Sequence, residues 1–591
     1  MTRRCRLRVA PVTVSATMLG NPMTRIKAAV SARPGEFVAA TALTAAFVVV
    51  RSIFLDRDLP PYAISQLQPI DEFFYTIPAF NLFHYGSMTY QVVPYIASDG
   101  SPLNYLQNLM TWLTLMAFGN NYYGLRMASV LAALGVFLLL FVVLRRQAPI
   151  SATRNIGGSW PTTMGLLWMG YLLFDFAFAV SARVNEPTIF RMFAMVALIA
   201  VATLWPRERS GLARPFALGW LATAAFVFVY VYNAFLVPAI LLTVLVDGLA
   251  GGRWQAIKEA GAAAAGCLLA VATYAVVVYV TYGQSLVQVY RLYVSPLGHN
   301  VVPHDLSTFI AHFYAIAGTN MFRFNVPLLV VFLAAIPVFA HRTWSERSST
   351  GLLVGSLLFF LILQSEFAID YPLKKLVMMS PLVVIVVAMA LGWIGPIVAD
   401  VRKAPALLIP LGLYVAGAAW VVFKVYTKTA GARVGYLADL NVLGLIVLSG
   451  ALMVAVLARG GRQRALVTTV IAMLALPGAF LQGQQLFMNP TYRYRDAMIA
   501  AAPIINGHTT AGSISIGFRL YNSSVPVLNF YQYELLPGGM DVYHRDLERL
   551  FTDGTAQYIV TGISADPSLT EVARYKVDIV HFPYFVIYRR S

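Results

Sequence analysis

The chain has few cysteines and few charged residues, and each shortage excludes a class of protein. The only cysteines among its 591 residues are Cys5 and Cys267, and Cys267 lies inside an apolar run, so neither a disulfide framework nor a cysteine-based zinc site is expected. Charged residues make up 12% and hydrophobic residues 59% of the chain, whereas soluble domains have about 25% charged residues. This composition excludes disorder, collagen and coiled coils. Because soluble cores cannot bury the apolar excess, it predicts a polytopic membrane protein.

Acidic residues are scarcer than basic ones, since 26 Asp and Glu stand against 43 Lys and Arg, a net charge of +17. The basic excess does not indicate nucleic-acid binding, because it is concentrated in residues 1–35 and in short segments between apolar runs, where membrane proteins place cytoplasmic cations. We therefore interpret 1–35 as a basic cytoplasmic N-terminal tail and expect no nucleic-acid partner.

Residues 36–488 contain a series of apolar runs that predict about thirteen transmembrane helices. With the N-terminus inside, the inner segments carry most of the loop cations, and the odd number of spans places the C-terminus outside. The stretch 214–249 is too long for one span and has a break at Tyr232 and Asn233. The predicted spans are 36–55, 121–144, 162–181, 187–205, 214–231, 233–249, 259–281, 323–341, 350–366, 375–397, 405–424, 436–457 and 463–482.

Residues 489–591 contain no spanning run and predict a small extracytoplasmic α/β domain. Periodicity predicts helices at 495–506, 544–552 and 568–575, strands at 514–518, 525–533 and 558–562, and a strand or hairpin at 577–589. The expected fold class is thus an α-helical polytopic membrane protein with about thirteen spans and a C-terminal α/β domain.

The first outer loop, 56–120, is long and carries the adjacent acids Asp71 and Glu72 in the sequence PIDEFFY. Helical patterns at 70–85 and 102–118 flank the rest of the loop, and the second is amphipathic, which is typical of a helix along a membrane surface. Acids at the start of a helix are also common as helix caps, so capping on a solvated loop is the alternative for this pair.

The turn SARVNEP places Arg183, Asn185 and Glu186 at the same membrane face as Asp71. Asp175 and Arg191 lie nearby within the adjoining spans. Ionisable groups at membrane depth face a polar cavity or a partner, so the alternative to a functional role is a structural ion pair, either Asp175–Arg191 or Arg183–Glu186.

Further candidate cations are Lys374 and Lys375, which begin the tenth span, and Arg291 in the loop 282–322. The lysines suit a phosphate site, and snorkelling to lipid headgroups is the alternative. The same loop contains His299, His304 and His312, whose spacing matches no compact zinc motif, so no metal site is predicted there and their roles stay open.

The order of these segments resembles the GT-C glycosyltransferases that use polyprenyl-phosphate-linked sugars, the group containing protein O-mannosyltransferases and aminoarabinose lipid A transferases. One departure is the cation that many members carry ahead of the Pro-Leu-x-Tyr stretch, where this chain has Asp99-Gly100-Ser101, so that Lys374, Lys375 or Arg291 would have to supply it. The resemblance rests on Asp71-Glu72, Pro102-Leu103-Asn104-Tyr105, Phe118-Gly119, Arg126-Met127-Ala128-Ser129, and the lysine pair followed by Ser380-Pro381.

The resemblance implies a GT-C catalytic domain over 36–488 that transfers a sugar from a polyprenyl-phosphate donor to a hydroxyl of a lipid, glycan or protein acceptor, with inversion. Asp71 would be the general base, and Glu72 and Glu186 would be further acidic residues of the catalytic site. The implied substrate-binding residues are Arg126, Lys374, Lys375, Tyr105, Arg183 and Arg291. No cofactor is assigned and a divalent cation is left open. The protein would be a multi-pass protein of the bacterial inner (plasma) membrane, in contact with membrane lipids, with its active site on the periplasmic side.

Two other classes fit the hydropathy. A membrane transporter or flippase of lipid-linked or small polar substrates would also carry acids in or near its spans, but it needs a midplane pathway and leaves the large outer segments unexplained. A non-catalytic lipid-binding or assembly protein leaves the ordered motifs unexplained. Release of sugar from a polyprenyl-phosphate donor separates the enzyme from both.

Overall fold

The computed structural model describes residues 34–53, 55, 74–88, 102–147, 160–205, 211–291, 325–346, 348–367, 378–391, 423, 470–472, 474–479, 516–519, 558–561, 569–579 and 582–590. Within these ranges the chain forms a helical bundle followed in sequence by a small sheet. The helices are α1 Pro34–Ser52, α2 Ile77–Tyr85, α3 Tyr105–Phe118, α4 Tyr122–Gln147, α5 Trp160–Phe174, α6 Phe176–Arg183, α7 Pro187–Leu204, α8 Ala213–Ala224, α9 Leu236–Leu249, α10 Arg253–Tyr282, α11 Leu286–Val289, α12 Val326–Ser345, α13 Ser349–Phe367 and α14 Met379–Leu391.

Six helices in the described ranges are long and apolar enough to cross a membrane. They coincide with predicted spans, and shorter apolar helices occupy others, so the helical polytopic architecture is confirmed. The predicted spans 405–424 and 436–457 lie outside the described residues apart from 423, and 463–482 is described only at 470–472 and 474–479. The six are Gly35–Ser52, Tyr123–Arg146, Pro187–Leu204, Val231–Leu249, Arg253–Tyr282 and Val326–Ser345.

One predicted span is interrupted, and the long apolar stretch 214–249 divides into two helices as predicted. The third span breaks at Asp175, whose carboxylate caps the new helix α6 by accepting from the Phe178 N–H at 2.7 Å. The 214–249 stretch breaks as predicted, but over a longer segment: α8 is followed by a π-helix, Ala225–Val229, an extended Tyr230, and a 3₁₀ turn, Val231–Asn233, before α9 begins. We call residues 225–233 the helix break.

Buried arginines hold the carboxyl ends of four helices. The last carbonyls of a helix have no intrahelical partner and carry partial negative charge, so a guanidinium satisfies both needs. The bonds run from Arg51 to Leu173 O at 2.8 Å, Arg183 to Ile53 O at 3.0 Å, Arg214 to Ala202 O at 3.1 Å and Arg342 to Met389 O at 3.1 Å.

Helices α8 and α10 make an unusually close crossing because both carry glycine at the contact. A Cβ at Gly219 would lie 2.1 Å from Ala263 O, and one at Gly266 would lie 2.1 Å from Phe216 O. The thiol of Cys267 donates to Gly219 O at 3.4 Å across the same contact. Glycine lets the two backbones touch, as small residues do between membrane helices.

The C-terminal residues form a four-stranded mixed sheet in the order β1-β2-β4-β3. Strands β1 and β2 are parallel, and β4 pairs antiparallel with both β2 and β3. The predicted helix at 568–575 is wrong, because residues 569–575 belong to β3. The predicted elements 495–506, 525–533 and 544–552 lie outside the described residues. The strands are β1 Ile516–Arg519, β2 Tyr558–Thr561, β3 Leu569–Ile579 and β4 Phe582–Arg590.

Candidate functional site

Glu186 is a buried carboxylate at the amino end of α7. It occupies the N-cap position with only 7% of the residue exposed, and its side chain makes no capping bond to its own helix. Pro187 follows it at the first helical position, where the missing N–H costs nothing. The positive end of the α7 dipole therefore lies beside this carboxylate.

Asn185 hydrogen-bonds the turn that carries Glu186 to two other helices. Its Nδ2 donates to Thr111 Oγ1 at 2.8 Å on α3 and to Leu125 O at 2.7 Å on α4. Gln107 of α3 donates through Nε2 to Asn185 O at 3.0 Å and to Asn185 Oδ1 at 3.1 Å. The turn is thus bonded on both sides, which fixes where the Glu186 carboxylate lies.

Helix α3 turns its polar stripe inward, against this turn. Its buried residues include Gln107, Asn108 and Thr111, whereas Leu113 and Met116 are 53% and 62% exposed. The amphipathic pattern of 102–118 therefore describes a helix with a polar protein-facing side and an apolar outer side, the arrangement suited to a lipid environment. Asn108 also accepts from the Ala79 N–H at 3.2 Å and so attaches α2 to α3.

Arg126 lies one residue after Leu125 and is almost fully buried. Its Nη1 donates to Leu55 O at 3.0 Å, at the point where the first outer loop leaves α1. Arg183 likewise donates to Val50 O at 3.4 Å and Ile53 O at 3.0 Å, which makes it a cap on α1. The structure therefore brings both predicted substrate-binding arginines to the start of the loop that carries Asp71.

Asp175 and Arg191 bond to different partners and do not form the ion pair considered from the sequence. Asp175 accepts from Tyr171 Oη at 2.6 Å as well as capping α6. Arg191 donates through Nε to Asn233 Oδ1 at 3.1 Å and through Nη2 to Tyr232 O at 2.8 Å, in the helix break.

Tyrosines gather around Arg191. Its guanidinium carbon lies 5.6 Å from the centre of the Tyr230 ring and 5.8 Å from that of Tyr232. The Tyr230 and Tyr75 hydroxyls are 3.1 Å apart, and their rings meet edge to face at 5.8 Å. Tyr75 belongs to the first outer loop and follows Asp71 by four residues. From the sequence, Tyr232 was predicted only as part of the break, and no role was predicted for Tyr75 or Tyr230. The polar-aromatic sequence YVYN inside an apolar stretch is a signal for Tyr230 and Tyr232.

Tyr105 begins α3, and Arg291 follows α11, at a second aromatic contact. The Tyr105 ring meets Phe228 edge to face at 6.3 Å, and Phe228 meets Tyr274 at 5.2 Å. Val289 packs with Tyr274, so the α11 segment borders the start of α3. Arg291 itself is exposed, two residues after Val289, and is not one of the buried groups around Glu186.

The remaining predicted residues, Asp71, Glu72, Lys374 and Lys375, lie outside the described ranges, as do His299, His304 and His312. Across the described part of the chain, no group of three or more His, Cys, Asp or Glu side chains comes close enough to hold a metal ion.

A cavity of about 450 Å³ lies at the opposite end of the bundle from Glu186, lined by residues that include Asp247, Thr343 and Trp344. Asp247 faces Arg214, with Nη1 3.9 Å from its carboxylate. Arg214 in turn bonds Ala202 O near the end of α7, about 24 Å along the helix from Glu186 at 1.5 Å per residue. The cavity is therefore separate from the candidate site.

Comparison with known proteins places this chain by its fold. No protein-family model and no curated protein sequence matches it. Among solved structures, ArnT from Cupriavidus metallidurans in the apo state superposes with a TM-score of 0.55 at 16% identity, over 93% of this chain and 97% of that one. ArnT bound to undecaprenyl phosphate gives a TM-score of 0.56 with the same identity and coverage. This chain has the fold of ArnT.

ArnT is an aminoarabinose lipid A transferase of the GT-C superfamily, so the resemblance seen in the sequence is confirmed at the level of the fold. The archaeal oligosaccharyltransferase AglB from Archaeoglobus fulgidus, in complex with an inhibitory peptide and a dolichol-phosphate, also matches, with a TM-score of 0.43 and 12% identity over 89% of this chain and 69% of that one.

Proposed function

We propose that this protein is a GT-C membrane glycosyltransferase that moves a sugar from a polyprenyl-phosphate donor to a hydroxyl of a lipid, glycan or protein acceptor. The observation that carries the proposal is the ArnT fold over 93% of the chain, in a relative whose structure was also determined with undecaprenyl phosphate bound. The ordered motifs of the sequence and the buried carboxylate of Glu186 support it.

The proposed reaction is one direct displacement. The acceptor oxygen attacks C1 of the sugar while the bond from C1 to the phosphate oxygen breaks, and Asp71 takes the acceptor proton. The anomeric centre inverts, and polyprenyl phosphate leaves with the bonding electrons. Glu72 and Glu186 complete the acidic side of the site, where they orient the acceptor and keep the proton affinity of Asp71 high.

Cations are proposed to stabilise the charge that develops on the leaving phosphate. Arg126 is the described candidate, because its guanidinium is buried at the start of the first outer loop. Lys374 and Lys375 are the proposed partners from the tenth span. Arg183, Tyr105 and Arg291 are assigned to donor binding as well, with Arg183 also holding the end of α1.

The active site is proposed to lie on the outer, periplasmic side of a bacterial inner membrane. The support is the charge asymmetry of the loops, since the cations of 1–35 and of the alternate loops mark the cytoplasmic side. A divalent cation is left open, and the assay below is therefore run with and without one.

A purified-protein assay tests the function. The protein is reconstituted in vesicles with a synthetic polyprenyl-phosphate sugar and a hydroxyl acceptor, and release of polyprenyl phosphate is measured with magnesium or with a chelator. We expect release that depends on the acceptor. Movement of the donor between leaflets without its consumption would instead support the transporter or flippase interpretation. Neither release nor movement of the donor would support the non-catalytic alternative.

A further inference from the structure

The helix break is held by one side chain from a different helix. Arg191 lies on α7, five residues after Glu186, and only 3% of it is exposed. Its Nε and Nη2 reach two acceptors in the break, Asn233 Oδ1 at 3.1 Å and Tyr232 O at 2.8 Å. A guanidinium binds two acceptors in one plane at a fixed spacing, which the single ammonium of a lysine cannot reproduce.

The break is a defined structure rather than a loose loop. Its π-helix ends where the Tyr230 N–H donates to Ala225 O at 3.2 Å, and Asn233 Nδ2 donates to the same oxygen at 2.9 Å. Single π turns inside helices are frequent at functional sites. Arg191 therefore fixes a conformation that the helix alone would not adopt.

The helix break that Arg191 stabilises also contacts the first outer loop. Tyr230 meets Tyr75 through hydroxyls 3.1 Å apart and rings 5.8 Å apart. Tyr75 is four positions after Asp71, a stretch of chain that reaches about 14 Å at most. A continuous set of contacts thus runs from the helix headed by Glu186, through Arg191 and the break, to the segment that carries Asp71.

We propose that Arg191 is a positioning residue. It stabilises the helix break, the break places Tyr230 against Tyr75, and this contact sets the distance between the segment with Glu186 and the segment with Asp71. The inference rests on the proposed function and deepens it. Arg191 acts through other residues and is not assigned a contact with substrate. Misplacing catalytic groups by an ångström lowers the rate of reaction without removing the binding contacts.

The kinetic test compares Arg191→Lys and Tyr230→Phe with the unchanged protein. Both variants should lower kcat about ten-fold or more and leave KM for the donor unchanged, because orientation rather than binding is lost. Arg191→Lys combined with Tyr75→Phe should be no worse than the more damaging single change, since the two act in one chain of contacts. The control is Arg342→Lys, a buried arginine that holds the end of α14 and should keep normal kinetics.

Hydrogen–deuterium exchange gives a readout that does not depend on activity. Arg191→Lys should raise exchange in the peptide covering 225–233 and also in the one covering 74–76, although the two are far apart in sequence. Tyr230→Phe keeps the ring and removes only the hydroxyl, so it should raise exchange at 74–76 even if the lysine variant fails to fold. Arg342→Lys should change neither peptide.

Exchange that rises only at 225–233, or normal kcat in Arg191→Lys, would overturn the inference. If the unchanged protein consumes no donor, the proposed function fails, and the exchange at 74–76 still decides whether Arg191 positions the first outer loop.

Discussion

At the scale of single residues, most buried charged side chains in the described part of the chain bond to a backbone group. Arg51, Arg183 and Arg342 donate to carbonyls at helix ends, and Asp175 caps a helix. From the sequence, Arg183 was expected to form an ion pair or to contact substrate, and its bonds to helix-end carbonyls were not predicted. Because an unsatisfied carbonyl in hydrocarbon is costly, capping is a sufficient reason for an arginine to be buried there.

The proposed base gives the first prediction at this scale. Asp71→Asn should abolish turnover while leaving donor binding largely intact, because asparagine keeps the shape but accepts no proton at neutral pH. Turnover is measured as release of polyprenyl phosphate and binding by native mass spectrometry. Asp58→Asn removes the same charge from the same loop and should behave as the unchanged protein. Normal turnover in Asp71→Asn with a dead Glu186→Gln would mean that the base is Glu186.

Asn185 supports a second prediction. Asn185→Leu removes the side-chain bonds to Thr111 Oγ1, Leu125 O and Gln107 Nε2, at about 0.5–1.5 kcal/mol for each hydrogen bond. Gln107 keeps its bond to the backbone oxygen of residue 185, and Thr111 keeps its bond to Gln107 O. We expect a clear fall in Tm together with a loss of activity, measured by thermal unfolding in detergent. Thr273→Ala removes an exposed hydroxyl that bonds only its own helix and should leave Tm within error. An unchanged Tm in Asn185→Leu would contradict the structural role.

At the scale of elements, the glycine contact between α8 and α10 predicts opposite effects for the same substitution on one helix. Gly266→Ala places a Cβ 2.1 Å from Phe216 O, so a backbone must move, at about 1–3 kcal/mol. Gly261→Ala has nothing within 4 Å of its new Cβ and should be neutral or stabilising by up to about 1 kcal/mol, since alanine favours helix. The measurement is Tm of the two variants, and equal values would show that the close crossing is not what makes Gly266 necessary.

Strand β3 shows how a local pattern can mislead at this scale. Glu571 and Arg574 bond at 2.9 and 2.6 Å with a spacing typical of a helix pair. In β3 a bulge supplies that geometry: Glu571 pairs with Tyr588 and Ala573 with Ile587, so Val572 is an extra residue that returns Arg574 to the face of Glu571. The hydrogen bond from Arg574 lowers the pKa of Glu571. The segment forms a strand because it pairs with β4. That pairing partner cannot be read from the residues of the segment itself.

At the scale of the whole molecule, the charge asymmetry of the loops predicts its orientation. Reporter fusions after Arg464 and after Asn489 should score cytoplasmic and extracytoplasmic respectively, because nearly all of the predicted last span, 463–482, lies between them. A fusion after Arg146 serves as the cytoplasmic reference. The same score at Arg464 and Asn489 would remove that span, and a cytoplasmic score at both would place the C-terminal sheet on the cytoplasmic side.

The sequence by itself determined the helical membrane architecture, most span positions and the resemblance to GT-C enzymes. These depend on apolar length, on loop charge and on motifs in order, all of which are properties of short segments. Even the break in 214–249 and the cap at Asp175 have local signals. The tertiary structure decided the partners: Arg51 bonds Leu173 across 122 residues, Arg183 bonds Ile53 across 130, and Tyr75 meets Tyr230 across 155. Such contacts depend on how helices pack and not on the neighbours of each residue in the chain. The inward polar face of α3, the hydrogen bonds of Asn185 in the turn before Glu186, and the contacts of Arg191 therefore became visible only in three dimensions.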